Sequence, residues 1–356
     1  MNTQGVKYAG SKQKLIPYIL KEVEMLKDVR TVIDGFAGTT RVSQAFHTLG
    51  YEVTSNDVSA WSEVFGKCYL LADRPKRYYQ EMIDFLNSLE GKDGWFTENY
   101  GGDEADEKRP FQKKNTRRLD AIREEIDRMG VDDIDKSVLL TSLILALDSV
   151  DSTLGHHVSY LSKWAPRAYN DMKLEVPRLI LPKKAKAHIL REDVFDAIRE
   201  RSFDLAYFDP PYGSNNEKMP PSRVRYSSYY HLWTTVVKND RPSVFGKANR
   251  REDTRDEVAT SVFEEFRKDS SGRHIAMNAI ERLVRDADAR YIMLSYSSGG
   301  RATKQELIDI LNDSGKLLRT VEIDYKKNVM AQMKWTNDWA AKDDKNKEYL
   351  FLLDKS

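Results

Sequence analysis

Cysteine is almost missing from this chain: Cys68 is the single one among 356 residues. One thiol excludes an internal disulfide and any cysteine-rich metal site, which leaves Cys68 as a small packing residue on a helix. No apolar run reaches the ~20 residues that a membrane-spanning helix needs. The opening MNTQGVKYAGSK also lacks the apolar stretch of a leader, so an intracellular, cytoplasmic protein is the expectation. Net charge is nearly absent as well, with 57 Lys and Arg against 56 Asp and Glu. A neutral total says little about partners by itself and moves the question to how the charges are distributed. His156 and His157 are adjacent with no cysteine nearby, so no metal site is expected. They read as polar loop residues, with a nucleic acid as one candidate neighbour.

The charges are unevenly placed. KRPFQKKNTRR (Lys108 to Arg118) is strongly basic, and between Lys163 and Arg191 eight Lys and Arg face only Asp171 and Glu175. Such patches on a neutral protein fit either a nucleic-acid-facing surface or an ordinary solvated face. The chain is also long for one core, which predicts a main domain carrying an inserted lobe.

Apolar periodicity supplies the frame. Leu15, Ile19, Val23 and Leu26 recur at helical spacing, then TVID (Thr31 to Asp34) reads as a short buried strand running into a glycine-bearing turn. RVSQAFHTLG is a helix stopped at Gly50, and YEVTSND (Tyr51 to Asp57) is a second strand with an acidic end. Strand, glycine loop, helix, strand, acid is the opening of a nucleotide-binding α/β unit. The rhythm stops near Arg74. There follow a helix with Leu119, Ile122, Ile126 and Met129 as its stripe, the uniformly apolar SVLLTSLILALDSV, and an irregular aromatic and basic stretch. It resumes at AHILREDVF (Ala187 to Phe195), FDLAYF and RYIMLSYS, and KLLRTVEIDY with KEYLFLL closes the chain as a pair of strands. No structure is assigned to most of 213–285.

Two stretches carry chemistry. DGFAGTTR (Asp34 to Arg41) sets two glycines three apart at a strand-to-helix turn, where backbone can approach a cofactor closely. No Gly-Lys-Ser/Thr follows, which disfavours a phosphate-cradling loop. Asp57, twenty-three positions after Asp34, stands where such units bind ribose hydroxyls, although it reads equally as a helix cap. In AYFDPPYGSNN (Ala206 to Asn216) a buried strand delivers Asp209, two prolines and Tyr212 to the sheet's carboxyl edge. An X-Pro peptide has no N–H to donate, so the turn presents acceptors, and Tyr212 presents a ring face. Acceptors beside a ring describe a pocket for an aminated base.

DPPY downstream of a D-x-F-x-G stretch resembles the amino-group DNA methyltransferases that use S-adenosylmethionine. The N-terminal KYAGSKQKLI (Lys7 to Ile16) narrows the resemblance to the D12-class, Dam-like adenine-N6 family, whose motif order is the one here; it covers 6–73 and 187–300, with the closing NKEYLFLL alongside. The resemblance implies a Rossmann-like class I methyltransferase sheet at 1–73 and 187–356, interrupted by a mainly helical target-recognition lobe at 74–186. Carried over by position, Tyr8, Lys12, Phe36 and Gly38 would meet the methionine end of S-adenosylmethionine, with Asp34 positioning the loop. Asp57 would take the ribose hydroxyls, and Asp193 and Val194 would flank the cofactor's adenine. Asp209, with the Pro210 carbonyl, would hold the N6 amino group of a flipped-out target adenine stacked on Tyr212, and Asp209 would also lie near the cofactor. LSYSS (Leu294 to Ser298) matches the strand that walls the target pocket. TTR departs from the commoner Thr/Ser-Gly ending, which leaves the backbone approach at Thr39 and Thr40 open.

The same resemblance implies double-stranded DNA as partner and a prokaryotic cytoplasm, and leaves open a cognate restriction endonuclease acting separately. Lys113, Lys114, Arg117 and Arg118 are candidate phosphate contacts, and Lys163, Trp164 and Arg167, near Tyr160, candidate groove contacts. RVRYSSYYHLW (Arg223 to Trp233) either closes over DNA or packs on the domain as an amphipathic helix. Cytosine-C5 chemistry falls, since it needs a cysteine after a proline and Lys67 precedes Cys68. RNA adenine, cytosine N4, a protein amide, and a DNA-binding protein without catalysis remain as alternatives. A dinucleotide oxidoreductase would give DPPY no role.

Overall fold

The computed structural model describes residues 2–103, 109–213, 225–255, 261–325 and 346–356. Lys108, Ser214 to Asn216, Arg223 and Val224, which fall in stretches singled out above, lie outside the described residues.

After a helical turn at Lys12–Lys14, α1 (Ile16–Glu24) turns Ile16, Ile19, Leu20 and Val23 inward. The β-branched run Thr31–Asp34 forms β1, with Val32 and Ile33 fully buried. The next helix, α2 (Arg41–Leu49), ends where the sequence predicts: Gly50 adopts φ +96°, and its N–H closes on His47 and Phe46 carbonyls. Then come β2 (Glu52–Asn56) and α3 (Ala60–Gly66), which widens at Lys67–Leu71 and buries Cys68. Four helices follow: α4 (Lys76–Ser88), α5 (Trp95–Tyr100), α6 (Lys113–Arg128) and α7 (Asp133–Val150). The Asp132 carboxylate caps α7 by accepting from the Asp135 N–H at 2.8 Å.

The alternating pattern resumes with β3 (Ala187–Leu190), the short α8 (Val194–Ala197) and β4 (Ser202–Phe208). The stretch left unassigned from sequence contains α9 (Tyr226–Tyr229), α10 (His231–Lys238) and α11 (Ile275–Asp286). The chain closes with β5 (Asp288–Ser297), α12 (Lys304–Ser314), β6 (Lys316–Tyr325) and β7 (Asn346–Asp354). No helix among the described residues is long and apolar enough to cross a membrane.

Seven strands form one sheet in the order β6-β7-β5-β4-β1-β2-β3. The five from β5 to β3 are parallel, and β7 runs antiparallel to both β5 and β6. Strand order therefore runs outward in both directions from the neighbours β1 and β4. That is the doubly wound switch point, where the carboxyl ends of adjacent strands open a crevice for ligands. Register places Asp34 opposite Tyr207, so the glycine loop and the DPPY turn leave the sheet side by side.

Strand alternation divides the core. Val32, Val53, Leu205 and Met293 face one side, and Ile33, Ala206, Ile292 and Leu294 the other, packed on α11 and α12. The first cluster does not stop at the sheet: it continues through Tyr79, Ile83, Leu119, Leu143 and Leu147 into the four helices of 74–186. Each such fully buried side chain contributes about 1.5–3 kcal/mol. Polar ties add to the join. Arg123, 2% exposed on α6, donates to the Val236 and Val237 carbonyls at the end of α10, at 2.6 and 3.0 Å.

Candidate active site

The turn after β1 is built from small groups and acids. A Cβ at Gly38, whose φ is +48°, would lie 3.2 Å from the Tyr8 hydroxyl. The next loop residue in the left-handed region is Thr40 at φ +58°, a conformation glycine would adopt more easily. That is where TTR departs from the family pattern. Fully buried, Thr40 accepts from the Gln44 amide at 3.1 Å.

Asp34 Oδ2 accepts from the Ser43 N–H at 3.1 Å and the Ser43 hydroxyl at 2.6 Å, tying the strand end to α2. Burial drives its carboxyl up to about 7 against that hydroxyl bond. Asp57 Oδ2 accepts from the Gly38 N–H at 2.9 Å, and Oδ1 from the Ser59 N–H at 2.8 Å. It thus steadies the glycine loop and the start of α3 together, with its pKa raised by burial and restrained by those two N–H groups. Asn56 crosses the strand ends, bonding the Gly35 carbonyl and both backbone groups of Glu192 at 3.1–3.3 Å. Asp193 caps α8 through the Phe195 N–H at 2.9 Å.

At the end of β4, Asp209 Oδ1 accepts from the Tyr212 hydroxyl at 2.7 Å and lies 3.1 Å from Lys12 Nζ. Lys12 also donates to the Tyr212 hydroxyl and reaches Glu348 Oε2 on β7 at 3.3 Å. Burial raises Asp209 to about 6, opposed by Lys12 and by the Tyr212 bond and reinforced by Glu348. Lys12 sits at 6% exposure. Burial lowers its pKa, but Asp209 and Glu348 raise it further, so the net direction is upward and the ammonium persists. The Tyr212 ring rests against Tyr296 at 4.9 Å, and its carbonyl accepts from the Arg301 N–H at 3.0 Å.

These groups converge. Tyr8, Lys12, Asp34, Phe36, Gly38, Asp57, Asp193, Val194, Asp209, Pro210 and Tyr212, singled out from sequence, all line one cleft at the switch point. Two buried acceptors in its wall, Asp34 Oδ1 and Glu264 Oε2, have no hydrogen-bond partner among the described residues. Burial raises Glu264 to about 7. Unpaired buried acceptors in a cleft suit a ligand that brings donors, such as the hydroxyls and amines of S-adenosylmethionine.

The family model of the D12 class N6 adenine-specific DNA methyltransferases matches residues 8–284. The chain belongs to that family. Modification methylase StsI of Streptococcus sanguinis is 27% identical to this chain over 327 residues, covering 86% of this chain and 46% of StsI. Modification methylase LlaI of Lactococcus lactis subsp. lactis is 27% identical over 394 residues, covering 98% of this chain and 60% of LlaI. The chain thus spans about half the length of those two relatives. With Type II methyltransferase M.NlaIII of Neisseria lactamica it shares 25% over 358 residues, covering 98% of this chain and 99% of M.NlaIII.

Several residues of this cleft and its surroundings had no role assigned from sequence. Arg41 follows the glycine loop directly and fastens the N-terminal segment by donating to the Thr3 and Gly5 carbonyls at 2.7 and 2.8 Å. Tyr226 and Phe263 line the cleft from a stretch with no α/β rhythm. Tyr8 stacks on Tyr230 at 4.7 Å, and the Tyr230 hydroxyl accepts from the Ala9 N–H at 2.6 Å. Glu348 was legible only as an acid inside an apolar strand. In the described part of RVRYSSYYHLW, Tyr229, Tyr230, Leu232 and Trp233 are buried against the domain while Tyr226 faces the cleft.

None of the candidate DNA contacts lines the cleft. Lys113, Lys114, Arg117 and Arg118 begin α6, and each has a neighbour: Asp103 at 3.9 Å, Asp171 at 2.6 Å, Asp93 at 3.3 Å and the Asn87 carbonyl at 3.1 Å, respectively. Lys163 is exposed and Trp164 half-buried. Arg167 turns inward to Asp151 at 2.9 Å and the Thr153 carbonyl at 2.7 Å, joining the acid that also binds Lys7. One expectation is corrected. His156 and His157 are 5% and 3% exposed, with His156 stacked on Tyr229 at 4.9 Å and His157 against Trp233 at 4.4 Å. Burial holds both below the usual imidazole range, because their loop is pressed onto α10 and not left in solvent.

Proposed function

We propose that this chain is a site-specific DNA methyltransferase of a prokaryotic restriction-modification system, methylating N6 of an adenine flipped out of double-stranded DNA. The observation that carries the reading is the Asp209–Tyr212 turn beside the glycine loop at the switch point, with Lys12 joined to Asp209. The naming of relatives as modification methylases supports the biological setting. S-adenosylmethionine supplies, when bound, a sulfonium methyl group that an amine nitrogen can accept.

The chain's residues divide that task by position. Asp57 keeps lone pairs beyond those engaged by Gly38 and Ser59, and these accept the ribose hydroxyls. Asp193 and Val194 flank the cofactor's adenine, and Tyr8, Phe36 and Gly38 line the methionine end, with Asp34 fixing the loop between. Asp209 and the Pro210 carbonyl accept the N6 hydrogens of the target base, and Tyr212 offers its ring face. Holding the amine in line with the methyl group removes most of the entropic barrier, so the transfer needs position more than an acid or base. Extruding a base costs a few kcal/mol, offset in part by stacking.

Residues 74–186 form the target-recognition lobe of this reading, with 1–73 and 187–356 as the catalytic domain. The six residues Lys7 to Lys12 link the two. The Lys7 N–H donates to Asp148 of α7 at 3.0 Å, Tyr8 lines the cofactor cleft, and Lys12 reaches Asp209. Methyl-labelled S-adenosylmethionine incubated with plasmid DNA, followed by digestion to nucleosides, tests the reading. Label in N6-methyladenine supports it, and label in cytosine or none in DNA sinks it.

A further inference from the structure

Lys12 holds more than Asp209. Its ammonium has three donors, and Asp209 Oδ1 at 3.1 Å, Glu348 Oε2 at 3.3 Å and the Tyr212 hydroxyl take all three. Glu348 stands opposite Ser297 of β5 and is 8% exposed, in a strand whose Leu350 and Leu352 pack into the core. Burying a carboxylate there is unfavourable unless it is paired, and the strand itself has no use for one. Its partner is Lys12, which in turn holds the DPPY turn.

We propose that Glu348 is a positioning residue for methyl transfer: it draws Lys12 into a three-way bridge that leaves Asp209 an open lone pair for the target amino group. The inference rests on the adenine-N6 reading above. Asp209 and Glu348 against one Lys12 leave this three-residue cluster one negative charge, where Asp209 and Lys12 alone would cancel. As the N6 lone pair forms the new N–C bond, the S–C bond breaks with its electron pair left on sulfur, and positive charge arrives at N6. A proton then leaves N6 through the Asp209 carboxylate to solvent. A cluster that is net negative before reaction stabilises that arriving charge without reorganising.

The groups acting on Asp209 come from several elements: Lys12 from the N-terminal turn, Tyr212 from its own loop, and Glu348 from β7. Asp209 in turn acts on Asp34 of β1, Tyr207 of β4 and Tyr226 of α9. Glu348 is the like charge among its direct neighbours, so its loss makes Asp209 easier to ionise.

The test is the pH profile of kcat for methyl transfer to DNA, at saturating cofactor and DNA, for wild type and Glu348→Gln. The expected result is kcat about tenfold lower, less than the roughly 10²-fold loss when a group touching the developing charge is removed. The acid limb moves to lower pH. Glu348→Asp keeps the charge, so its limb stays in place while kcat falls less, and it decides the matter if Glu348→Gln fails to fold. A folded Glu348→Gln with wild-type kcat, or with a lower rate and an unmoved limb, overturns the proposal, as does a folded Glu348→Asp whose limb shifts. Wild type that places no label on adenine N6 fails earlier and removes the underlying reading as well.

Discussion

Lys12 and Glu348 are buried and share partners with Asp209, whereas Lys113, Lys114 and Arg117 at the start of α6 are exposed and each has its own neighbouring acid. Lys12, Asp209 and Glu348 form one connected group, in which Lys12 and Glu348 act in opposite directions on the Asp209 carboxyl. Lys114 with Asp171, or Arg117 with Asp93, is an isolated surface pair. Pairs of the second kind are worth about 0–1 kcal/mol, so a phosphate can replace the acid at little cost. Perturbed, coupled groups at a sheet edge mark where chemistry happens. Exchangeable surface pairs mark where a polyanion can be received. The two regions nonetheless share one hydrophobic core, so they differ in electrostatics more than in packing.

The comparison breaks most readily at Asp209. Replacing it with alanine removes the acceptor for the target amine and lowers kcat roughly 10²–10³-fold, measured as label incorporated into DNA. Activity near wild type would move the chemistry elsewhere. Next is the shared core. Leu143→Ala empties a fully buried site on α7 and costs about 2–5 kcal/mol. Thermal unfolding should stay a single transition, and two separated transitions would show that 74–186 folds on its own.

A smaller effect concerns pH. Asp209 can accept with full charge and take up the N6 proton only when ionised, so transfer by the wild type falls as pH drops through about 6. Lys12 lowers that value, so Lys12→Gln moves the acid limb to higher pH, and an unmoved limb would mean the ammonium does not act on Asp209. Smallest is the basic face. Lys113→Ala, Lys114→Ala and Arg117→Ala each reduce the salt dependence of DNA binding by about one unit of slope if they meet phosphates. Titrations at two or more salt concentrations read this directly, and unchanged slopes would leave these side chains as a solvated face.

Much of the cleft was legible because its parts are local. A strand, a glycine loop and an acid at the next strand's end are read from neighbouring residues, as are DPPY and KYAGSK. Parallel strand order then brings those segments together without further signals. What stayed hidden depends on long-range packing. Nothing near Glu348 indicates that β7 inserts beside β5 and lays its acid against Lys12. The histidine pair looked polar in sequence and lies buried because Tyr229 and Trp233 cover it. Likewise α6 read correctly from its apolar stripe and α7 from its uniform apolarity, whereas α4, α5 and the continuity of all four with the sheet's core did not, since a stripe shows which face is buried and not against what.

One paired measurement tests the division most directly: kcat for methyl transfer and affinity for the same DNA, determined for Asp209→Ala and for the combined Lys113→Ala, Lys114→Ala, Arg117→Ala variant. The account predicts that Asp209→Ala binds DNA within a few-fold of wild type while its kcat collapses. It predicts that the triple variant loses more in KM for DNA than in kcat. Loss of DNA binding by Asp209→Ala, or a triple variant whose kcat collapses with its KM unmoved, would contradict it.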